Sequence, residues 1–316
     1  MRYKHLKNAN VDVSALAVGT WAIGGESYGA VNRNDSIEAI RKMVDCGVNL
    51  IDTAPCYGNG MSEKIVGEAI QGIRDKVLLS TKFGLITDIY GRGYKRDGSY
   101  KNVMREVQSS MMNLGTDHID FYYYHKPDGI TPLSETMAAL NWLKKEGYIS
   151  YIGFSNFSRE EVEEALNYGD IDVQQPSFSM ISQENRDLMT WGYSKGIDSF
   201  TYGSLGAGIL TGAVREMPKF EKNDYRLTFY DFYREPKFSR AMELLTALDK
   251  IAEAHNAPVP QVAINWSTQK DFVGTALCGV RNAREAEENC AAFDWELTAE
   301  EMALLDSEMA RLGLDK

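Results

Sequence analysis

Short apolar runs recur along this chain, each followed by a longer stretch with apolar residues on one helical face. The runs are Leu16–Gly19, Val48–Asp52, Val77–Thr81, Ile119–Tyr124, Ile149–Phe154, Ile171–Gln175, Ile197–Tyr202 and Val273–Cys278. They are apolar at consecutive positions, as strands buried on both faces must be. The amphipathic stretches between them are Asp35–Cys46, Ser62–Ile70, Ser99–Leu114, Leu133–Glu146, Ser158–Tyr168, Glu184–Lys195 and Pro260–Gln269. Cap-type residues open several of them, and Gly47 and Gly147 stop two. Eight such strands with helices between them predict a closed parallel (β/α)8 TIM barrel, because right-handed βαβ crossovers repeated eight times close a sheet on itself. An open doubly wound sheet would need a G-x-G-x-x-G turn after the first strand. Gly19-Thr20-Trp21-Ala22-Ile23-Gly24-Gly25 does not supply one.

Two pieces fall outside the eightfold count. Residues 1–13 read as an N-terminal β-hairpin turning at Asn8-Ala9-Asn10, placed to plug the bottom of the barrel. The connection after Tyr202 is long and Gly-rich, then aromatic (Tyr225, Phe229, Tyr230, Phe232, Tyr233), and leads into an extra helix at Phe238–His255. Long loops in compact domains are functional or disordered, and a lid and a packed loop core remain two readings of this one. No Pro/Gly/Ser-rich linker divides the chain, so residues 1–316 read as a single barrel domain.

Composition narrows the setting. A net charge of −11 argues against nucleic acid and anionic membrane surfaces as partners. Cys46, Cys56, Cys278 and Cys290 form no C-x-x-C pair, which suggests reduced thiols, no zinc site and a cytoplasmic protein. The first residues carry no apolar core of a signal peptide, and no apolar run is long enough for a membrane span.

In such a barrel the chemistry sits at the C-terminal ends of the strands. Asp52 ends the second strand, Tyr57 follows in its loop, Lys82 ends the third strand and His125 the fourth. These strands are neighbours, so the four side chains are expected to converge. A lysine cation lowers the pKa of a nearby phenol and makes it a better proton donor. Asp52 would hold that ammonium, and His125 would orient a carbonyl. Together they suit proton delivery to a carbonyl that receives a hydride. Singly, each has an ordinary reading: a strand-end histidine, a structural ion pair, a surface tyrosine. Cys56 reads as a small packing residue.

The segment Asp52-Thr53-Ala54-Pro55-Cys56-Tyr57-Gly58-Asn59-Gly60 resembles the signature of the aldo-keto reductases. So do Ser80-Thr81-Lys82, Tyr124-His125-Lys126-Pro127-Asp128, Gly153-Phe154-Ser155-Asn156, Gln174-Gln175-Pro176 and Glu287-Glu288-Asn289, in family order. The start Gly19–Gly25 is similar to the bacterial branch with inositol- and sugar-related oxidoreductases. The resemblance implies an NADP(H) cofactor, with NAD(H) as the other choice. It places Ser155, Asn156 and Gln175 at the nicotinamide carboxamide and Tyr202 under the nicotinamide ring. Gly203, Ser204, Leu205 and Gly208 would lie along the pyrophosphate, although Gly203-Ser204 departs from the family's usual Ser-Pro. Gly279 and Arg281 would meet the 2′-phosphate, and Glu288 and Asn289 the adenine. Thr20 and Trp21 join the cofactor-contacting set, with Trp21 and Tyr28 as pocket wall. The implied activity reduces aldehydes or ketones, or oxidises the matching sugar, polyol or alcohol, with Tyr57 as the acid/base. A nicotinamide-sensing binding protein with little turnover is the alternative. The polar-aromatic loop Gly84–Gly98 (Tyr90, Arg92, Tyr94, Lys95, Arg96) favours a hydroxylated ligand.

Overall fold

A computed structural model describes residues 1–25, 31–88, 93–219 and 229–315. Tyr28, Tyr90, Arg92 and Tyr225 lie outside these residues.

The N-terminal hairpin pairs β1 (Tyr3–Leu6) with β2 (Val11–Ser14) in antiparallel register, and Asn10 takes a left-handed conformation in its turn. Eight parallel strands follow: β3 (Leu16–Gly19), β4 (Leu50–Asp52), β5 (Leu78–Phe83), β8 (Ile119–Tyr124), β9 (Ile149–Ser155), β10 (Val173–Gln175), β11 (Asp198–Thr201) and β12 (Val273–Gly279). Each pairs with the next, and β12 pairs back onto β3 through Leu277↔Ala17 and Cys278↔Val18, so the sheet closes. That last ladder excludes the open doubly wound sheet. Between β5 and β8 the polar-aromatic loop holds a small antiparallel ribbon, β6 (Leu85–Thr87) with β7 (Tyr94–Arg96).

The helices pack outside the ring. They are α1 (Arg33–Asp45), α2 (Met61–Ala69), α3 (Tyr100–Leu114), α4 (Leu133–Lys145), α5 (Arg159–Ala165), α6 (Arg186–Ser194), α7 (Lys237–Ala254), α8 (Val259–Thr268), α9 (Ala283–Cys290) and α10 (Ala299–Leu312). Helix α1 starts two residues before the expected Asp35. Asn32 is its cap, its side chain accepting from the amides of Asn34 and Asp35. Helix α7 is the extra helix expected near 238–255. The terminal α10 packs against it and was not expected, because its Glu- and Met-rich sequence follows the last apolar strand. Among the described residues no helix is long and apolar enough to cross a membrane.

Strand side chains alternate between two environments, as period-two geometry requires. Leu16, Val18, Ile51, Leu79, Tyr122, Tyr124, Ile152 and Phe154 belong to the core between sheet and helices. Ala17, Leu50, Phe121, Tyr123, Val173, Phe200 and Leu277 fill the barrel interior. Leu6, Ala9 and Val13 of the hairpin join that interior cluster from below, which is the plug the sequence suggested.

Candidate active site

The interior parity carries on into the polar strand ends. Two residues beyond inward Leu50 is Asp52; two beyond Ser80 is Lys82; two beyond Tyr123 is His125; two beyond Gly153 is Ser155; two beyond Val173 is Gln175. One geometric rule therefore delivers five polar side chains to the same end of the barrel.

Asp52 and Lys82 are the buried centre, 2% and 0% exposed. Lys82 Nζ donates to Asp52 Oδ2 at 2.6 Å and to the Thr53 carbonyl at 2.9 Å. The other carboxylate oxygen accepts from Ser80 Oγ at 2.7 Å and from Gln175 Nε2 at 2.8 Å. A buried ion pair is tolerable only when its remaining lone pairs and protons are satisfied, and this one is well supplied. Ser80 was named in the sequence only as part of the Ser80-Thr81-Lys82 motif and given no role, although its position two residues before Lys82 on the inward face is a usable signal.

Tyr57 is presented by a tight turn in which its amide donates to the Ala54 carbonyl at 3.1 Å. This loop is pressed against the one after β3. A Cβ at Gly58, whose φ is +60°, would lie 2.2 Å from the Gly24 carbonyl oxygen, and one at Gly24 would lie 2.7 Å from the Gly58 nitrogen. Lys82 Nζ stands 5.1 Å from the centroid of the Tyr57 ring, and the His125 ring meets it edge-on at 6.0 Å. Burial first, and then the Asp52 carboxylate, push the phenol well above its ordinary pKa. This corrects the expectation of a lowered value. The ammonium is paired at contact distance with Asp52, so the net charge it shows the phenol is small and desolvation prevails.

His125 is held through its backbone. Its amide donates to the Phe83 carbonyl at 2.9 Å, and its carbonyl accepts from Asn156 Nδ2 at 3.0 Å. Burial, and then the charges of Lys82 and Lys126, depress the imidazole well below its usual pKa. It is neutral at pH 7 and carries one ring proton.

The residues the resemblance placed around a cofactor fall into a connected set and several separate ones. Asn156, in a left-handed conformation (φ +59°), also donates to Ser155 Oγ at 3.0 Å and accepts from Tyr202 Oη at 2.9 Å. Ser155 Oγ donates to the Gln175 carbonyl at 2.8 Å. Ser155, Asn156, Gln175 and Tyr202 thus form one wall beside Asp52. Thr20 does not join them. It is buried, its hydroxyl donates to the Asp52 carbonyl at 2.8 Å and accepts from Ser62 Oγ at 2.7 Å, so it braces the strand ends. Ser204 is also buried, donating to the Thr201 carbonyl at 3.3 Å. Trp21 stands between Tyr57 (ring centroids 6.4 Å apart) and Phe229 (5.8 Å, edge-on). Of the aromatic run, Tyr230, Phe232 and Tyr233 are buried with Phe238 of α7, whereas Phe229 is 46% exposed. The packed-core reading holds for those three, although Tyr230 and Phe232 also line the cavity beside Tyr202, and Phe229 is the most exposed of the described members of the run.

Arg281 lies just before α9. Its guanidinium donates to Glu285 at 2.6 and 3.0 Å, and its amide to the same carboxylate at 2.9 Å. Glu288 pairs with Arg284 at 3.0 Å and Asn289 is buried. Around the mouth the backbone is open to a close-approaching ligand. Among the described residues a Cβ at Gly203 (φ +74°) would meet nothing within 4 Å, one at Gly208 (φ +103°) only Tyr233 Oη at 3.9 Å, and one at Gly279 only the Gly19 carbonyl at 3.8 Å. Leu205 packs beneath this rim between the two outer core clusters. Beside Tyr202 and Gly203 is a cavity of about 290 Å³ that Ser177, Glu184 and Asn185 also line. A cradle of bare backbone next to a wall of amide and hydroxyl groups fits a dinucleotide.

The fold and this site define an oxidoreductase built on a TIM barrel. The model of the aldo/keto reductase family matches residues 15–309, and the chain belongs to that family. It is a nicotinamide-dependent oxidoreductase acting on carbonyls or the corresponding alcohols. Aldo-keto reductase YhdN of Bacillus subtilis (strain 168) is 34% identical over 305 residues, covering 95% of this chain and 91% of its own. NADH-specific methylglyoxal reductase of Escherichia coli (strain K12) is 32% identical over 320 residues, covering 96% and 97%. Among solved structures, the glycerol dehydrogenase AKR11B4 from Gluconobacter oxydans superposes with a TM-score of 0.89 at 30% identity, covering 99% of this chain and 97% of that one.

Proposed function

We propose that Tyr57 is the general acid/base of this reaction, with Lys82 and Asp52 as its electrostatic partners and His125 as the group that orients the carbonyl. The observation that carries the reading is the convergence of these four side chains at one end of the barrel, with Asp52 and Lys82 fully buried and paired. When bound, the reduced nicotinamide supplies the hydride. The protein's part is to place and protonate the oxygen. His125, neutral, donates one hydrogen bond to the carbonyl oxygen. Tyr57 gives that oxygen its proton as negative charge develops, and the phenolate left behind faces the Lys82 ammonium. In the alcohol-oxidising direction the same atoms act in reverse. Ser155, Asn156 and Gln175 are the groups for the carboxamide, and Tyr202 is the face for the ring. An aldehyde, ketone, sugar or polyol suits this site, and four free thiols suit a reducing, cytoplasmic setting. The sensing alternative finds less support, since a binding protein has no need of a phenol beside a buried ion pair. Pairing NADH or NADPH with a carbonyl panel, and NAD or NADP with a sugar panel, tests the activity by nicotinamide absorbance. Tight cofactor binding without turnover on any member would overturn it in favour of the sensor.

For the outer phosphate Arg281, just before α9, and Glu285, in the first turn of α9, act in opposition. The NADP(H) assignment rests on Arg281, whose guanidinium suits a phosphate dianion. Glu285 already holds that guanidinium and repels such a dianion, which favours NAD(H). Arg281→Ala is expected to weaken NADPH by about ten- to hundred-fold in fluorescence titration and NADH little, the worth of one charged hydrogen bond. Wild-type protein that already binds NADH as tightly as NADPH would give the site to NAD(H).

A further inference from the structure

We propose that Cys56 is a positioning residue for this reaction: its thiol donates a hydrogen bond to His125 Nδ1 and so holds the imidazole as the tautomer that carries its proton on Nε2. The proposal rests on the assignment of His125 as the group that orients the carbonyl.

Cys56 Sγ lies 3.6 Å from His125 Nδ1, within reach of a sulfur hydrogen bond, and the residue is only 4% exposed. The contact follows from the local chain. The turn closed by Tyr57 N to Ala54 O at 3.1 Å, and by Gly60 N to Pro55 O at 2.7 Å, brings both the Tyr57 ring and the Cys56 side chain to the same imidazole. Fixed on both sides through its backbone, His125 keeps one ring nitrogen on the thiol. Among the described residues Nε2 has no hydrogen-bond partner.

Which atom donates is settled by chemistry. Burial pushes the thiol up to about 12, so it holds its proton at neutral pH. The imidazole is neutral, with one donor nitrogen and one acceptor nitrogen. Sulfur is a weak acceptor, whereas an unprotonated imidazole nitrogen is a good one, so the bond runs from Sγ–H to Nδ1. The ring proton is then on Nε2. This matters because a carbonyl oxygen offers only lone pairs. Nε2–H attracts it, while an unprotonated Nε2 would set lone pair against lone pair. A residue that never touches substrate thereby decides whether His125 attracts or repels it.

The test is two-bond proton–nitrogen correlation spectroscopy on the full chain labelled with 15N-histidine, at pH 7, with steady-state kinetics alongside. Four histidines must be resolved. His118 serves as the reference for the opposite tautomer, since its Nδ1 faces the Gly147 carbonyl at 2.8 Å. His125 is expected to show a protonated Nε2 and an unprotonated Nδ1. Cys56→Ala should mix the tautomers and lower kcat/KM roughly three- to ten-fold, the worth of one modest hydrogen bond. Cys56→Ser, which keeps a donor, should restore both readouts in large part. A wild-type His125 protonated on Nδ1 would overturn the proposal, and so would an Ala variant with unchanged spectrum and kinetics. The wild-type spectrum decides the direction of the bond even if the Ala variant fails to fold. His125→Gln separates the two assignments. A large loss there beside a silent Cys56→Ala removes only the role of Cys56, whereas no loss there removes the role of His125.

Discussion

At the residue scale the site is governed by which groups keep their protons. Tyr57 is raised, so at neutral pH it is a neutral phenol, and in the proposed mechanism it serves as a proton source, not as a standing phenolate. Tyr57→Phe removes that proton and nothing else of size. It should lower kcat by about 10²–10⁴-fold while leaving the cofactor Kd within about twofold. Turnover near that of the wild type would exclude Tyr57 as the acid. His125 is depressed, and this has a consequence for stability. As pH falls below the unfolded-state value of about 6.5, the unfolded chain takes up a proton that the folded imidazole refuses. Stability is therefore full above that pH and lost as the pH drops through it. Urea unfolding at pH 7 and pH 5 should show a larger loss for the wild type than for His125→Gln. Equal losses would mean that the imidazole titrates normally. No histidine inflection is expected in kcat/KM between pH 6 and pH 8.

At the element scale the decisive features are strand parity and the contact between two loops. Gly58 and Gly24 bring backbone against backbone behind Tyr57. Gly58→Ala would force a methyl to 2.2 Å from a carbonyl oxygen and must move the loop that carries the phenol. Displacement of about 1 Å costs on the order of 10²-fold in rate, so activity should fall that far while far-UV circular dichroism stays unchanged. Activity within threefold of wild type would show that the loop after β3 yields instead. Strand position also explains what could be read in advance. Asp52, Lys82 and His125 were legible as polar residues at the ends of apolar strands. Ser155 and Gln175 were legible only through the family resemblance, and the shared inward parity appears in the structure. Cys56 was read as packing because its distance to His125 joins two loops 69 positions apart in the chain. Arg281 was legible as a cation, but its engagement by Glu285 depends on the turn of α9. The direction of the Tyr57 shift was misjudged for a related reason. Sequence shows that a lysine is near, not that the lysine is already paired and the phenol desolvated. Helices α9 and α10 escaped notice because their Glu-rich stretches carry few buried residues.

At the scale of the molecule the barrel separates stability from chemistry along its axis. Hairpin residues Leu6, Ala9 and Val13 close the bottom and pack on Leu50, Phe121, Val173 and Phe200. The same strands carry Asp52, His125 and Gln175 at the other end. Leu6 is fully buried, so Leu6→Ala leaves a cavity in the interior cluster and should destabilise the fold by about 2–5 kcal/mol in urea unfolding. The site should not register it. Between Leu6 and the Asp52–Lys82 pair lie whole layers of side chains, Tyr123 among them. Close-packed interiors do pass strain from layer to layer, yet large-to-small changes relax only partly and locally. Well below its unfolding temperature, Leu6→Ala should keep kcat and KM within about twofold of the wild type, since sites without shared partners act independently. A fall in kcat as large as that of Gly58→Ala would show that the plug sets the height of the strand ends, and hence the position of the catalytic groups. The two ends of the barrel would then be one mechanical unit.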